Sequence, residues 1–192
     1  MIKMRKNGST LIYFGGIAGS GKTTIGRLTS ERLPELAYIS SGEIKRPEAR
    51  RRFEQSLSLL DQEKTFKINA WFFDILQQPL TNGVHLIDTH YTYPLPDSTF
   101  VRLLPENYAG TIDLFVLVEA MADEIVSRRI RRGRDRDFID IDFVKRELDK
   151  EREEAHRISD QFGKPLEILD NGDQFTNSVL HLVDIISRRY HF

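Results

Sequence analysis

The chain has 192 residues, 30% of them charged, and a net charge of -1; that balance excludes a global electrostatic case for nucleic acid or an anionic membrane and leaves only local patches to make one. It contains no cysteine, which excludes disulfides, thiolate catalysis and cysteine-ligated zinc together. The length fits one domain with a sizeable core, and with no signal-peptide pattern and no bilayer-length apolar run a cytoplasmic protein is expected.

Five short apolar segments alternate with helical patterns, which predicts a parallel sheet flanked by helices. Thr10–Phe14 is the first strand and runs straight into glycines. A helix is predicted from Lys22 to about Leu33, closed by Pro34. Ala37–Ile39 is the second strand, followed by Ser40-Ser41-Gly42. Glu43 to about Gln78 reads as two or three helices forming a small cap, about 41–80 in all. Asn82-Gly83 is a turn signal and Val84–Asp88 the third strand. Tyr91–Ala109 holds Pro94, Pro96 and Pro105 without clean periodicity, so part of it is loop. Ile112–Val118 is the fourth strand, with a helix from Ala120 to about Arg132. A long charged helix, Asp142–Phe162, ends at Gly163, a good C-cap residue. Pro165–Leu169 is the fifth strand and Phe175–Arg189 a closing helix.

The spacing Gly-x-x-x-x-Gly-Lys-Thr occupies Gly16-Ile17-Ala18-Gly19-Ser20-Gly21-Lys22-Thr23, after a strand and opening a helix, the context that makes it a triphosphate-binding loop. Glycines let successive N–H groups face inward, and the helix dipole points at the same anion. Lys22 adds charge for the β- and γ-phosphates of ATP, the Thr23 hydroxyl can ligand Mg2+, and Thr24 can add its N–H near the α-phosphate. The bland alternative is a glycine-rich connector.

Asp88 ends the third strand, where a carboxylate beside a phosphate loop can bind Mg2+ directly or through water. His90 fits substrate contact and loop orientation equally. No Asn-Lys-x-Asp motif is present, which counts against a GTPase. Six arginines lie between Arg128 and Arg136, suited to neutralising a transferring phosphoryl group, and Gly133 gives this segment (about 130–141) freedom to close as a lid. An RNA-binding patch is the competing reading, weakened by the balanced charge elsewhere. In the long helix Glu151 falls within the stripe Val144, Leu148, Ala155, Ile158 and Phe162, with Arg152 at its edge. A polar cleft and a salt-bridged surface helix both fit that spacing.

In order along the chain, Gly16–Thr24, Ile87-Asp88-Thr89-His90, Arg134-Asp-Arg-Asp137, Arg152 and Lys164–Asn171 resemble the archaeal-type adenylate kinases. More distantly they resemble other nucleoside monophosphate kinases. That resemblance implies a three-layer α/β P-loop fold with a five-stranded parallel sheet, helices on both faces, a helical acceptor-binding cap and a short lid. It also implies Mg·ATP as donor and a nucleoside monophosphate, AMP first, as acceptor. Lys22, Arg134, Arg136 and Arg152 would stabilise the migrating phosphoryl group. Ser41, within Ser40-Ser41-Gly42, would meet the acceptor and Arg46 its phosphate.

The sequence departs from the family on the acceptor side. Pro47 disfavours helical geometry at Arg46, the loop after His90 lacks glycine, and 47–79 has no counterpart. Rival readings are a kinase for another nucleotide or small acceptor, and a weak ATPase that binds RNA or a protein partner. Family members can be trimers, so a homo-oligomer is admissible.

Overall fold

The structure, a computed structural model, describes residues 8–78, 80, 83–133, 138–172 and 175–191. In chain order it contains β1 (Ser9–Gly15), α1 (Lys22–Arg32), β2 (Leu36–Ser40), α2 (Ser41–Phe53), a 3-10 turn (Leu57–Leu59) and α3 (Gln62–Leu76). Then follow β3 (Gly83–Asp88), β4 (Thr92–Pro94), β5 (Phe100–Arg102), α4 (Glu106–Ala109), β6 (Leu114–Glu119), α5 (Ala122–Arg132), α6 (Ile141–Phe162), β7 (Leu166–Asp170) and α7 (Phe175–Tyr190). Among the described residues five strands form a parallel sheet in the order β2-β3-β1-β6-β7, and β4 pairs antiparallel with β5 as a separate hairpin. The three-layer fold expected from the sequence is the fold observed.

Successive side chains of a strand point to opposite faces, so β1 feeds two cores. Ile12 and Phe14 pack with Ile25 of α1 and with Val179, Leu182 and Ile186 of α7. Leu11 and Tyr13 pack with Phe72 and Phe73 of α3 and with Ala155 and Ile158 of α6. Each fully buried large apolar side chain contributes about 1.5–3 kcal/mol, which makes the two-faced sheet a rigid base for the loops at its carboxyl edge.

That edge positions the site. From β1 the chain crosses over β3 to form β2, whereas β6 and β7 lie on the other side. Ligands of open α/β sheets bind at such a switch point. The register sets Asp88 beside Phe14 and Ser40, so the ends of β1, β2 and β3 converge where β1 runs into the glycine loop.

Two stretches depart from expectation. Pro47 lies inside α2 and does not end it. Proline costs about 3 kcal/mol in a helix interior, so tertiary contacts outweigh local preference here. Ser40 caps the helix by accepting Glu43 N–H at 3.4 Å, and Ser41, Lys45 and Ala49 form one buried stripe. Ala49 packs with Leu60 and Ile68 in a satellite core. The proline-rich stretch after Tyr91 supplies β4, β5 and α4. Its hairpin turn is closed by Leu95 N–H donating to Thr99 O at 2.8 Å and by Asp97 accepting the N–H and hydroxyl of Thr99 at 3.0 and 2.6 Å. Three-residue strands carry no readable alternation, and proline is tolerated on such edges. The Asn82 turn signal lies outside the described residues, and among those described no helix is long and apolar enough to cross a membrane.

Candidate active site

Two glycines of the phosphate loop are required by its geometry. Gly16 has φ 143°, and a Cβ there would stand 2.4 Å from the Val118 carbonyl oxygen. Gly21 has φ 96°, and a Cβ would meet Asn171 Nδ2 at 2.1 Å. These close approaches hold the loop in place. Asn171 Nδ2 donates to Ser20 O at 2.6 Å and Asn171 N–H to Glu119 O at 2.7 Å, bracing the loop from the end of β7. Arg128 bridges the carbonyls of Gly19 and Asn171 at 3.3 and 3.0 Å. Helix α1 starts at Lys22 with Gly21 as its cap, so its first amides and its dipole face the same space.

Lys22 is 5% exposed and folds back to donate to Ile17 O at 3.1 Å. Burial lowers its ammonium below the usual range, and the charges of Asp88 and Glu151 act against that. Beside it Thr23 Oγ1 donates to Asp88 Oδ2 at 2.7 Å, and Tyr38 OH donates to the same oxygen at 2.5 Å. These are hard oxygen donors. One carboxylate and one hydroxyl suit Mg2+, which takes few protein ligands and completes its octahedron with water and phosphate oxygens. Among the described residues no cluster of three or more His, Cys, Asp or Glu forms a protein-only cage.

The sequence left Glu151 between two readings, and the structure answers with neither. Its carboxylate is 1% exposed and is satisfied by four donors. Oε1 accepts from Gly16 N and Tyr91 N at 2.8 Å each; Oε2 accepts from Thr92 N at 2.6 Å and Thr92 Oγ1 at 2.9 Å. Burial pushes this carboxyl up to about 7, against those hydrogen bonds and the Lys22 charge. Glu151 thus ties the phosphate loop to the β4–β5 hairpin. Its neighbour Arg152 points elsewhere: it is half-exposed and pairs with Glu119 through two contacts of 2.7 and 3.0 Å, away from the cavity.

Among the described arginines after residue 127, Arg129 is the buried one, and sequence reading did not single it out. It donates to Ala18 O at 2.8 Å, Phe138 O at 2.8 Å and Glu147 Oε2 at 2.7 Å, joining the loop to α6. Its spacing of four from the buried Ile125 was the legible signal. Arg134 and Arg136 lie outside the described residues.

The start of α2 shares a cavity with the phosphate loop. Ser41, Gly42 and Arg46 line the same cavity as Lys22, Thr23 and Asp88, and His90 lines it too. A Cβ on Gly42 would come 3.2 Å from an Arg46 guanidinium nitrogen, so the bare backbone leaves that side chain room. His90 packs edge-on against the Tyr93 ring at 5.8 Å and borders the cavity, which accommodates both roles considered for it. Burial holds its imidazole well below the usual range, reinforced by the charges of Lys22, Lys45 and Arg129, so it is neutral at pH 7.

Lys45 is a cavity residue that the sequence did not reveal. It is 5% exposed, donates to Asn69 Oδ1 at 2.9 Å and lies 5.5 Å from the Phe72 ring centroid. Burial pushes its ammonium down to about 8.

The fold and loop have counterparts among known proteins. Shikimate kinase from Bacteroides thetaiotaomicron superposes with a TM-score of 0.56 at 18% identity, covering 93% of this chain and 98% of the other. Shikimate kinase from Acinetobacter baumannii, in complex with shikimate, gives 0.57 at 12% identity with 97% of each chain covered. Identities this low establish a shared P-loop kinase fold and no shared substrate. No curated protein matches the sequence. The family model described as an AAA domain matches residues 15–145, from the last residue of β1 through the phosphate loop and helices α2 and α3 to the start of α6. That match takes in well over half of the chain, which therefore belongs to the AAA domain family.

Proposed function

We propose that the protein is an ATP-dependent phosphotransferase acting on a nucleoside monophosphate, with AMP the first candidate. One observation carries this reading: a single cavity joins the phosphate-loop residues Lys22 and Thr23 and the carboxylate Asp88 to the cationic, hydroxyl-bearing start of α2. A site that only hydrolysed ATP needs the first half and has no use for the second.

In this reading the loop amides and Lys22 would hold the β- and γ-phosphates, and Thr23 and Asp88 are the residues that would hold Mg2+. The metal, when bound, neutralises charge on the bridging phosphates. Ser41 and Arg46 orient the acceptor, so that its oxygen attacks the γ-phosphorus while the bond to the β–γ bridging oxygen breaks and ADP leaves. A phosphate acceptor is already ionised and needs no general base, so positioning and charge neutralisation dominate. Arg134 and Arg136 are assigned to a lid that adds positive charge as transfer proceeds. Arg152 would join them only by leaving Glu119.

A second reading, transfer to another small acceptor, is supported by the shikimate kinases that share the fold. Incubation with Mg·ATP and a panel of nucleoside monophosphates, shikimate and water alone distinguishes the readings by product. Diphosphate formation supports the first and phosphorylated shikimate the second; slow release of inorganic phosphate regardless of acceptor removes both.

A further inference from the structure

Lys45 is out of place as a structural residue. It is a lysine only 5% exposed, on the inner stripe of α2 with Ser41 and Ala49. Among the described residues it forms no ion pair. Its partners are the neutral amide oxygen of Asn69 and the face of Phe72. Burying a charge without an opposite charge in contact is costly, by several kcal/mol after relaxation, and packing alone would have favoured an aliphatic residue. Asp88, across the cavity, favours the charged form but does not touch it.

The surroundings hold the ammonium in place. Asn69 Nδ2 donates to Thr65 O at 2.8 Å, one helical turn back, which fixes the amide so that Oδ1 faces Lys45. An ammonium carries three donors, and among the described residues Lys45 donates one hydrogen bond, to Asn69. Lys45, Asn69 and Thr65 line the same cavity as Arg46 and the phosphate-loop residues Ala18, Gly19, Lys22 and Thr23.

We propose that Lys45 is the anion anchor of the acceptor half of the cavity, so that the acceptor is a small molecule whose phosphate or carboxylate group meets the Lys45 ammonium, with Asn69 positioning that ammonium. This rests on the reading of the cavity as a phosphotransferase site and narrows it to anionic acceptors. The ammonium donors that Asn69 does not take up are available to an oxyanion, and such charge-assisted contacts are the strong ones. Arg46, exposed where Lys45 is buried, lines the same cavity and supplies a second cation.

The test is calorimetric titration of the full chain, preloaded with a non-hydrolysable Mg·ATP analogue, with inorganic phosphate, AMP, adenosine, shikimate and shikimate methyl ester. Wild type is compared with Lys45→Met, Lys45→Arg and Asn69→Ala. The wild type should bind an anionic member at least tenfold more tightly than its neutral counterpart. Lys45→Met should remove that preference, with affinity for the neutral compound and for the ATP analogue unchanged. Lys45→Arg should restore part of it, and Asn69→Ala should show an intermediate loss. AMP against shikimate tells phosphate from carboxylate. Equal affinity of wild type and Lys45→Met for every anion overturns the proposal, as does an equal loss for neutral compounds or the absence of Lys45-dependent binding to any member. If the anion preference depends on Lys45 but no acceptor is phosphorylated, the transferase reading fails and the anchor stands. If transfer proceeds with Lys45→Met at wild-type KM, the anchor fails alone.

Discussion

Glu151 and Gly16 stand 135 residues apart in sequence, yet the carboxylate of the first accepts the backbone N–H of the second at 2.8 Å. The same carboxylate accepts from Tyr91 and Thr92. One buried side chain of α6 therefore fixes the entrance of the phosphate loop relative to the segment leading into the β4–β5 hairpin. Above about pH 7, where the carboxyl is ionised and only accepts, Glu151→Gln puts an N–H donor group against the donors it faces. Loss of stability by about 1–3 kcal/mol is expected, with a weakened affinity for the ATP analogue, read by denaturant melts and titration. Unchanged values for both contradict the tether.

The pH dependence of that tether has a definite sign. Burial lifts the Glu151 carboxyl from 4.5 up to about 7, so the folded protein holds its proton more tightly than the unfolded chain. Its contribution to stability is complete below about 4.5 and is lost as pH rises through about 7, with a slope of at most about 1.4 kcal/mol per pH unit. Melts at intervals from pH 4.5 to 8 should show wild type losing stability relative to Glu151→Gln as pH rises, levelling above 7. A difference that grows with pH reverses the assignment.

On the phosphotransferase proposal, Lys22→Ala removes the cation assigned to the transferring phosphate. A fall in turnover on the order of a hundredfold or more is expected, with circular dichroism unchanged. Wild-type turnover would mean that Lys22 has been misassigned.

Asp88→Asn keeps the shape beside Thr23 and Tyr38 and removes the charge. The Mg2+ concentration for half-maximal transfer should rise about tenfold or more, measured by metal titration at fixed ATP. An unchanged metal requirement would leave Asp88 as a hydrogen-bond hub only.

Arg129 and Arg152 separate structural from exposed charge. Arg129→Ala removes a buried partner of Glu147 and should cost about 3–5 kcal/mol. Arg152→Ala breaks a half-exposed pair with Glu119 and should change stability by about 0–1 kcal/mol. A turnover loss confined to Arg152→Ala would show that this side chain reaches the site during the reaction, as the adenylate kinase resemblance implies.

The parts of the molecule legible in the sequence are those where one local rule dominates. The loop at Gly16–Thr23 is written in residue types that only its geometry requires, and Asp88 follows a run of buried strand residues that fixes its place at the sheet edge. The wall of the cavity formed by α2 and α3 was not legible because its signals are tertiary. Lys45 sits in Glu43-Ile-Lys-Arg-Pro47, where surrounding charge hides a buried stripe, and Pro47 locally argued against the helix that displays it. Asn69 and Arg129 became significant only when packing brought α3 and α5 to the cavity. Glu151 sat in an apolar stripe where its burial was readable, but its donors come from residues 16, 91 and 92 and no spacing rule links them.

The most direct test of phosphoryl transfer follows the γ-phosphoryl group itself. The protein is incubated with Mg2+, γ-labelled ATP and AMP, and the products are separated by anion exchange. Label appearing in ADP, at a rate dependent on AMP and abolished by Lys22→Ala, is the predicted result. Label found only in inorganic phosphate, at a rate indifferent to AMP and to the other acceptors of the panel, contradicts it.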